Sequence, residues 1–323
     1  MGKVIAEFCQ NHNGDRHILL DMIWAASEAG ADYAKVQMVS ADDLVFRDRF
    51  EQGLTEDGAI KVIKRPHQAE YDRLKKLEIQ QEDYSWFIDQ CRKASILPLT
   101  TVFTRGSVAA AAGLDWNEVK VASYDCASYP LLLELKSKFN HLFVSTGATY
   151  DEEIEKAAEI LSGRPFTFLH CVTIYPTPLD QLHLVRMDYL RQFTPRVGFS
   201  DHTLVKRDGI LAAAVALHVG ADVVERHFTI LPEGETKDGP VSINAVQLKT
   251  LCGLAHGNAE MRAGYVKEHV GDYQIMMGHP HRQLSQTELL NRDYYRGRFG
   301  THSEDGSVLN NWDEVGLATG RSS

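Results

Sequence analysis

The chain has 323 residues, 44% of them hydrophobic, and a formal net charge of −10. That is apolar material for one large α/β domain or two ordinary ones. The lack of a long basic stripe excludes nucleic acid as the main partner. No run is long and apolar enough to span a bilayer, so no membrane partner is expected. With the first strand-like run at Lys3-Val4-Ile5-Ala6-Glu7, no signal peptide is expected. Cys9, Cys91, Cys126, Cys171 and Cys252 show neither CxxC nor zinc-ribbon spacing. A cytoplasmic protein with small, buried, apolar cysteines is the expectation.

Apolar strand-like runs alternate with helix-periodic segments. Strands are predicted at 4–8, 33–38, 97–102, 118–122, 141–145, 166–171, 196–200 and 222–228. Helices are predicted at 16–29, 81–93, 105–112, 129–138, 151–161, 180–193, 205–219 and 244–264. Eight βα units predict a (β/α)8 TIM barrel over residues 1–265. Residues 266–323 then form a short irregular C-terminal extension, its last twenty residues a loose tail. Gly30, Gly113 and Gly220 end helices where a left-handed residue is needed, and Thr149 caps the helix opening at Asp151. The long charged connection 40–78 follows strand two and is placed to cover an active site.

In such a barrel the chemistry sits at the C-terminal strand ends. Read in order, those ends give Glu7; Lys35 and Gln37; Thr101; Lys120, Ser123 and Asp125; Ser145-Thr146-Gly147; His170-Cys171 with Tyr175 beyond; Ser200, Asp201 and His202; and His227. Two histidines ending neighbouring parallel strands can hold a divalent metal with positions left open. The plain alternative is two core imidazoles. Two lysines on apolar strands are costly unless they meet an anion. With Thr101, Ser123, Ser145, Ser200 and the Ser-Thr-Gly turn they make a phosphate or carboxylate cradle. Pairing of the lysines with Glu7, Asp125 or Asp201 is the competing reading. Glu7 is a candidate general acid or base, with Asp125 a second carboxylate. His279 and His281 are read as solvated loop residues.

Several blocks together carry a resemblance. Ile5-Ala6-Glu7 with Asn11-His12-Asn13-Gly14, Lys35-Val36-Gln37, Ser145-Thr146-Gly147, Tyr175-Pro176-Thr177-Pro178, Gly198-Phe199-Ser200-Asp201-His202-Thr203 and Glu225-Arg226-His227-Phe228-Thr229 occur in order from about Lys3 to Gly264. In this the chain resembles the N-acetylneuraminate (sialic acid) synthase family. The resemblance implies a TIM-barrel enzyme that condenses phosphoenolpyruvate with an open-chain amino sugar, giving a nonulosonic 2-keto-3-deoxy acid and phosphate with C–O cleavage. It implies a Mn²⁺-type ion, with Mg²⁺ or Co²⁺ as alternatives, on His202 and His227. Phosphoenolpyruvate falls to Lys35, Thr101, Lys120, Ser123, Ser145 and Ser200. Glu7 lies near the reacting centre, and Gln37, Tyr175 and Asp238 lie on the sugar side. A homodimer is the family precedent.

Three departures from the family pattern stand out. Tyr124-Asp125 replaces a usual Gly-Glu, and Cys9 stands where a small residue commonly follows the glutamate by two. The segment Asn291-Arg292-Asp293-Tyr294-Tyr295-Arg296 resembles only the start of the family's antifreeze-protein-like domain. The phosphoenolpyruvate half of the site therefore reads as intact and the sugar half as altered, so plain N-acetylmannosamine is not the expected acceptor. A separate chain supplying that domain is an open alternative. The rival functions are a 3-deoxy-manno-octulosonate 8-phosphate synthase-like enzyme and a catalytically silent barrel kept as a binding partner.

Overall fold

The computed structural model describes residues 2–314. Eight parallel strands close into a barrel in which each is hydrogen-bonded to the next along the chain and the last to the first. They are β1 (Lys3–Cys9), β2 (Tyr33–Met38), β3 (Leu97–Val102), β4 (Glu118–Val121), β5 (His141–Ser145), β6 (Phe166–Cys171), β7 (Val197–Asp201) and β8 (Val223–His227). This is the (β/α)8 architecture expected, with helices between consecutive strands. No described helix is long and apolar enough to cross a membrane.

Side chains alternate across each strand, so one parity faces the barrel axis and the other the helices. The outward set, among it Val4, Ala6, Phe8, Ala34, Val36, Val119, Val121 and Val144, packs with helix residues such as Met22, Ile23, Phe87 and Leu131 in the main core. The inward set begins with an apolar floor of Ile5, Tyr33, Leu99, Phe143, Leu169 and Val223. This layer seals the barrel from below. One step of two residues further up each strand the inward residues turn polar, and the site begins there.

Most helices form where the periodicity placed them. Helix α1 (Arg16–Glu28) starts at Asp15, whose carboxylate accepts from the amides of His17 and Ile18. The predicted helix 205–219 breaks into Val205–Asp208 and Leu211–His218 at Gly209, where φ is 53°. The predicted helix 244–264 is two, Ala245–His256 and Ala259–His269, the second capped by Asn258. The predicted helix 180–193 shrinks to Arg186–Leu190. Connection 40–78 carries an antiparallel hairpin, Leu54–Glu56 with Ala59–Val62, and the helix His67–Leu77. Its turn is Asp57-Gly58, with φ of 50° and 76°, the Asp-Gly hairpin signal.

Three local readings are corrected. Gly113 ends its helix in right-handed backbone, φ −76°. Thr149 does not cap: its hydroxyl donates to Ser123 O and Gly147 O, and Tyr150 is the N-cap, with Glu153 reaching back to its amide. The described part of the expected tail is ordered too. Val308–Leu309 pairs with Thr301–His302, and Asn311 is buried. The rest of that tail lies outside the described residues.

Gly198 shows how tightly the floor is closed. It faces Val223 across β7 and β8, and a Cβ there would stand 2.5 Å from Val223 O and 2.4 Å from its Cγ1. Gly198→Ala is therefore expected to destabilise the barrel by about 1–3 kcal/mol, read as a lower urea midpoint with an unchanged slope.

Candidate active site

Above the floor lies a buried charged layer. Glu7 and Lys35 are neighbours in the β1–β2 register and form an ion pair. Lys35 Nζ also lies 3.4 Å from Glu225 Oε2 and donates to Thr101 Oγ1 at 3.3 Å. Ser200, opposite Glu225 on β7, donates to Glu225 Oε1 at 3.1 Å. Burial works against the Lys35 charge, but Glu225 and Glu7 more than offset it and raise its pKa above the ordinary lysine range. Burial likewise opposes ionisation of Glu225, yet Lys120 and Lys35 hold its carboxyl below the usual value.

Lys120 is different. It is buried, and its ammonium donates to Ser145 Oγ at 2.6 Å and Val121 O at 3.1 Å. No carboxylate among the described residues lies within 4.0 Å of it, and burial lowers its pKa. The adjoining Ser145-Thr146-Gly147 turn is tight. A Cβ on Gly147 would come 2.8 Å from Ser123 Oγ and 2.6 Å from Thr173 Cγ2. A buried ammonium with two hydroxyls and a side-chain-free turn beside it suits an anion. The competing ion-pair reading thus holds for Lys35 and fails for Lys120, while Asp201 pairs elsewhere.

The histidines occupy the other side of the mouth. The rings of His202 and His227 are both buried, with centroids 5.3 Å apart. Alternation explains their support: the residues before them, Asp201 and Arg226, point to the opposite side of the wall. Those two form an ion pair at 2.6 Å, both fully buried. Arg226 also donates to Thr203 O and Gly209 O, and Thr203 N donates to Asp201. Burial first, then the His227, Arg226 and lysine charges, push the pKa of His202 well below its ordinary value. Its imidazole is therefore neutral, the form that ligates metals. Tyr175, exposed, lays its ring 4.3 Å from that of His202. Gln37 is half-buried opposite Thr101.

Asp238, expected on the sugar side, comes close to His227. A donor atom each from Cys9, His227 and Asp238 lie within 4.8 Å of one another, a group able to hold a metal ion. His202 is outside that triad; its Nδ1 is 3.7 Å from Cys171 Sγ. Cys9 is buried and free, as its sequence reading expects, and Glu225 is an acid that the strand-end reading does not include. Glu225 follows from stepping by two down β8 from His227, whereas Cys9 stands at a register slip of β1. The Asn11-His12-Asn13-Gly14 block holds this corner in place. Asn11 donates to Phe228 O and Ser242 Oγ, and Asn13 to Glu235 O. That ties the loop after β1 to the loop carrying Asp238.

Asp125 does not join the reacting groups. Its carboxylate accepts from Ser128 Oγ at 2.9 Å and Asn311 Nδ2 at 2.8 Å. Tyr124 stacks on Tyr295 with centroids 5.0 Å apart. The altered Tyr124-Asp125 pair is therefore a dock for the C-terminal segment, and the second carboxylate of the site is Glu225. The segment includes the helix Gln286–Tyr295, opened by a Ser285–Glu288 capping box. Asn311 donates to Phe103 O after β3, Arg292 to Ala148 O after β5, and Asn291 to Thr173 O after β6. Residues 298–300 exchange backbone hydrogen bonds with the loop after β2. His281 lies at the surface as expected, its ring 2.7 Å from Asp151 Oδ2.

The mouth is that of a (β/α)8 enzyme acting on an anionic substrate. The profile of the NeuB family matches residues 22–267, and the chain belongs to that family. It is 29% identical over 305 residues to the N,N'-diacetyllegionaminic acid synthase of Legionella pneumophila, covering 91% of this chain and 81% of that one. It is 28% identical over 253 residues to the N-acetylneuraminate-9-phosphate synthase of Drosophila melanogaster, covering 77% and 65%. Among solved structures, the N-acetylneuraminic acid synthetase of Leptospira borgpetersenii, in complex with citrate, shares the fold with a TM-score of 0.68 at 23% identity over 90% of each chain.

The Asp125 dock has a measurable signature. Burial raises its carboxyl to about 6, against the pull of the Asn311 and Ser128 hydrogen bonds. The unfolded value is about 3.9. Ionisation above the folded value therefore opposes folding, and the penalty fades as pH falls from about 6 to about 4. Asp125→Asn retains an acceptor oxygen and removes the charge. It should stabilise the protein by about 1–3 kcal/mol near pH 8 and by almost nothing near pH 4, read from denaturant midpoints at the two pH values.

Proposed function

We propose that the protein is a nonulosonic acid synthase. It condenses phosphoenolpyruvate with an open-chain amino sugar, giving a 2-keto-3-deoxy acid and inorganic phosphate. The observation that carries this is Lys120: a buried ammonium beside Ser145 with no carboxylate partner among the described residues. It fits the phosphate or carboxylate of an anionic substrate. The family and its named synthase relatives support the choice of phosphoenolpyruvate.

On this reading Lys120, Ser123 and Ser145 bind one end of phosphoenolpyruvate, and Lys35, Thr101 and Ser200 orient the other. The acceptor lies toward Gln37 and Tyr175, its aldehyde near His202 and His227. A divalent cation on the histidines, Mn²⁺ by the family resemblance, supplies Lewis-acid polarisation of that aldehyde. C3 of phosphoenolpyruvate forms the new bond to the aldehyde carbon. Water adds at C2, and the C2–O bond to phosphate breaks as the ketone forms. Glu7, held by Lys35, is the group placed to take the proton of that water. The floor beneath closes the cavity on that side, which limits competing hydrolysis.

Phosphate release should require phosphoenolpyruvate, a divalent cation and an amino sugar together; a panel of aldoses identifies the acceptor. Release without any sugar would overturn the condensation. His202→Ala and His227→Ala should each abolish turnover without altering the circular dichroism spectrum, and full activity in either would remove the cation role.

Lys120→Ala should raise the KM for phosphoenolpyruvate more than about tenfold, beyond the roughly 0.2–1 kcal/mol of an exposed pair. Because burial lowers the Lys120 pKa, kcat/KM for phosphoenolpyruvate should fall on an alkaline limb below the ordinary lysine value of about 10.4. A pH–rate profile of the wild type checks this.

A further inference from the structure

Cys9 ends β1 in left-handed backbone, φ 47°, a conformation that favours glycine over residues with a side chain. There the β1–β2 register slips between Glu7 and Cys9. Bulges of this kind re-aim a side chain near a site. The result is that Cys9 Sγ, a nitrogen of His227 and a carboxylate oxygen of Asp238 lie within 4.8 Å of one another. They come from β1, from β8 and from the loop that Asn11 and Asn13 fasten down. The Cys9 thiol is hydrogen-bonded to the Asp238 side chain, and a cation would replace that shared hydrogen. His227 beside them is buried, with Nδ1 lacking a hydrogen-bond partner among the described residues, so the ring has an uncommitted nitrogen. Gly239 lets the Asp238 loop close up, since a Cβ there would fall 1.9 Å from Glu233 O.

We propose that Cys9 is a metal ligand, so that its thiolate and the Asp238 carboxylate join the imidazoles of His227 and His202 around one cation. This rests on the synthase reading and deepens it by stating which cations the site selects. Sulfur and nitrogen donors select Zn²⁺, Fe²⁺ or Co²⁺ over the oxygen-seeking Mg²⁺. Binding displaces the thiol hydrogen as a proton to water and transfers no electron. Glu7 contributes by position: its Oε1 accepts the Cys9 amide at 2.5 Å and fixes the bulge.

Titration of the full chain with Co²⁺ alone tests this. The expected result is one Co²⁺ per chain with a sulfur-to-cobalt charge-transfer band in the near ultraviolet. The band should vanish in Cys9→Gly, a variant suited to the left-handed backbone, and its Co²⁺ affinity should fall by about tenfold or more. The band should persist in Cys171→Ala, which removes the thiol beside His202. Bound Co²⁺ without the band, or a band that survives Cys9→Gly, would overturn the proposal. If phosphate release still needs a divalent cation and His227 in that case, the synthase reading stands without Cys9. A wild type that takes up no Co²⁺ would overturn the Cys9 assignment, and one whose phosphate release needs no cation would sink the cation part of the synthase reading separately.

Discussion

The Asp201–Arg226 ion pair is the constraint on which the mouth of the barrel depends. Both side chains are fully buried and meet at 2.6 Å across β7 and β8. Removing one partner of such a pair costs about 3–5 kcal/mol, because the other charge is left stranded. Each member sits one residue before a site histidine, so strand alternation sends the charges behind the wall and the imidazoles in front of it. The pair fixes the spacing of the two rings without touching either. The Ser-Asp-His-Thr and Glu-Arg-His-Phe blocks therefore each contain a mouth-facing imidazole and the charged residue that braces its strand.

The charged layer rests on the apolar floor as a second storey. Stepping by two from Ile5, Tyr33, Val223 and Leu99 leads to Glu7, Lys35, Glu225 and Thr101. Lys35 meets two carboxylates at ion-pair distance, whereas Lys120 donates to a hydroxyl and a carbonyl and feels Glu225 only from beyond that distance. On the proposed reading, Lys120 is the ammonium that an anionic substrate completes. The cost of burying that charge lies in the free protein and is relieved on binding.

Much of this was legible in the sequence. Eight strand-like runs at βα spacing gave the barrel, and the strand ends gave Lys35, Lys120, Ser145, His202 and His227 as neighbours. What the sequence hid was geometry at single positions. Asp125 reads as a reacting acid, but its carboxylate is taken by Asn311, 186 residues away. Nothing local announces that partner. Cys9 reads as a small apolar filler because a bulge and a positive φ, invisible in composition, turn it toward Asp238. The helix breaks at Gly209 and Asn258 each carry a polar Gly-containing stretch, but apolar runs on both sides read as one helix. The Asp57-Gly58 hairpin, by contrast, carries its signal locally, in an Asp-Gly pair between two short strands.

The C-terminal segment ties the loops after β2 through β6 together by side-chain hydrogen bonds from Asn291, Arg292, Arg298 and Asn311 and by the Tyr124–Tyr295 stack. Because this roof is joined to the barrel by its own backbone, its local concentration is set by chain length rather than by how much protein is in solution. The lysine side of the mouth accordingly keeps its cover at any dilution, as a roof lent by a second molecule could not.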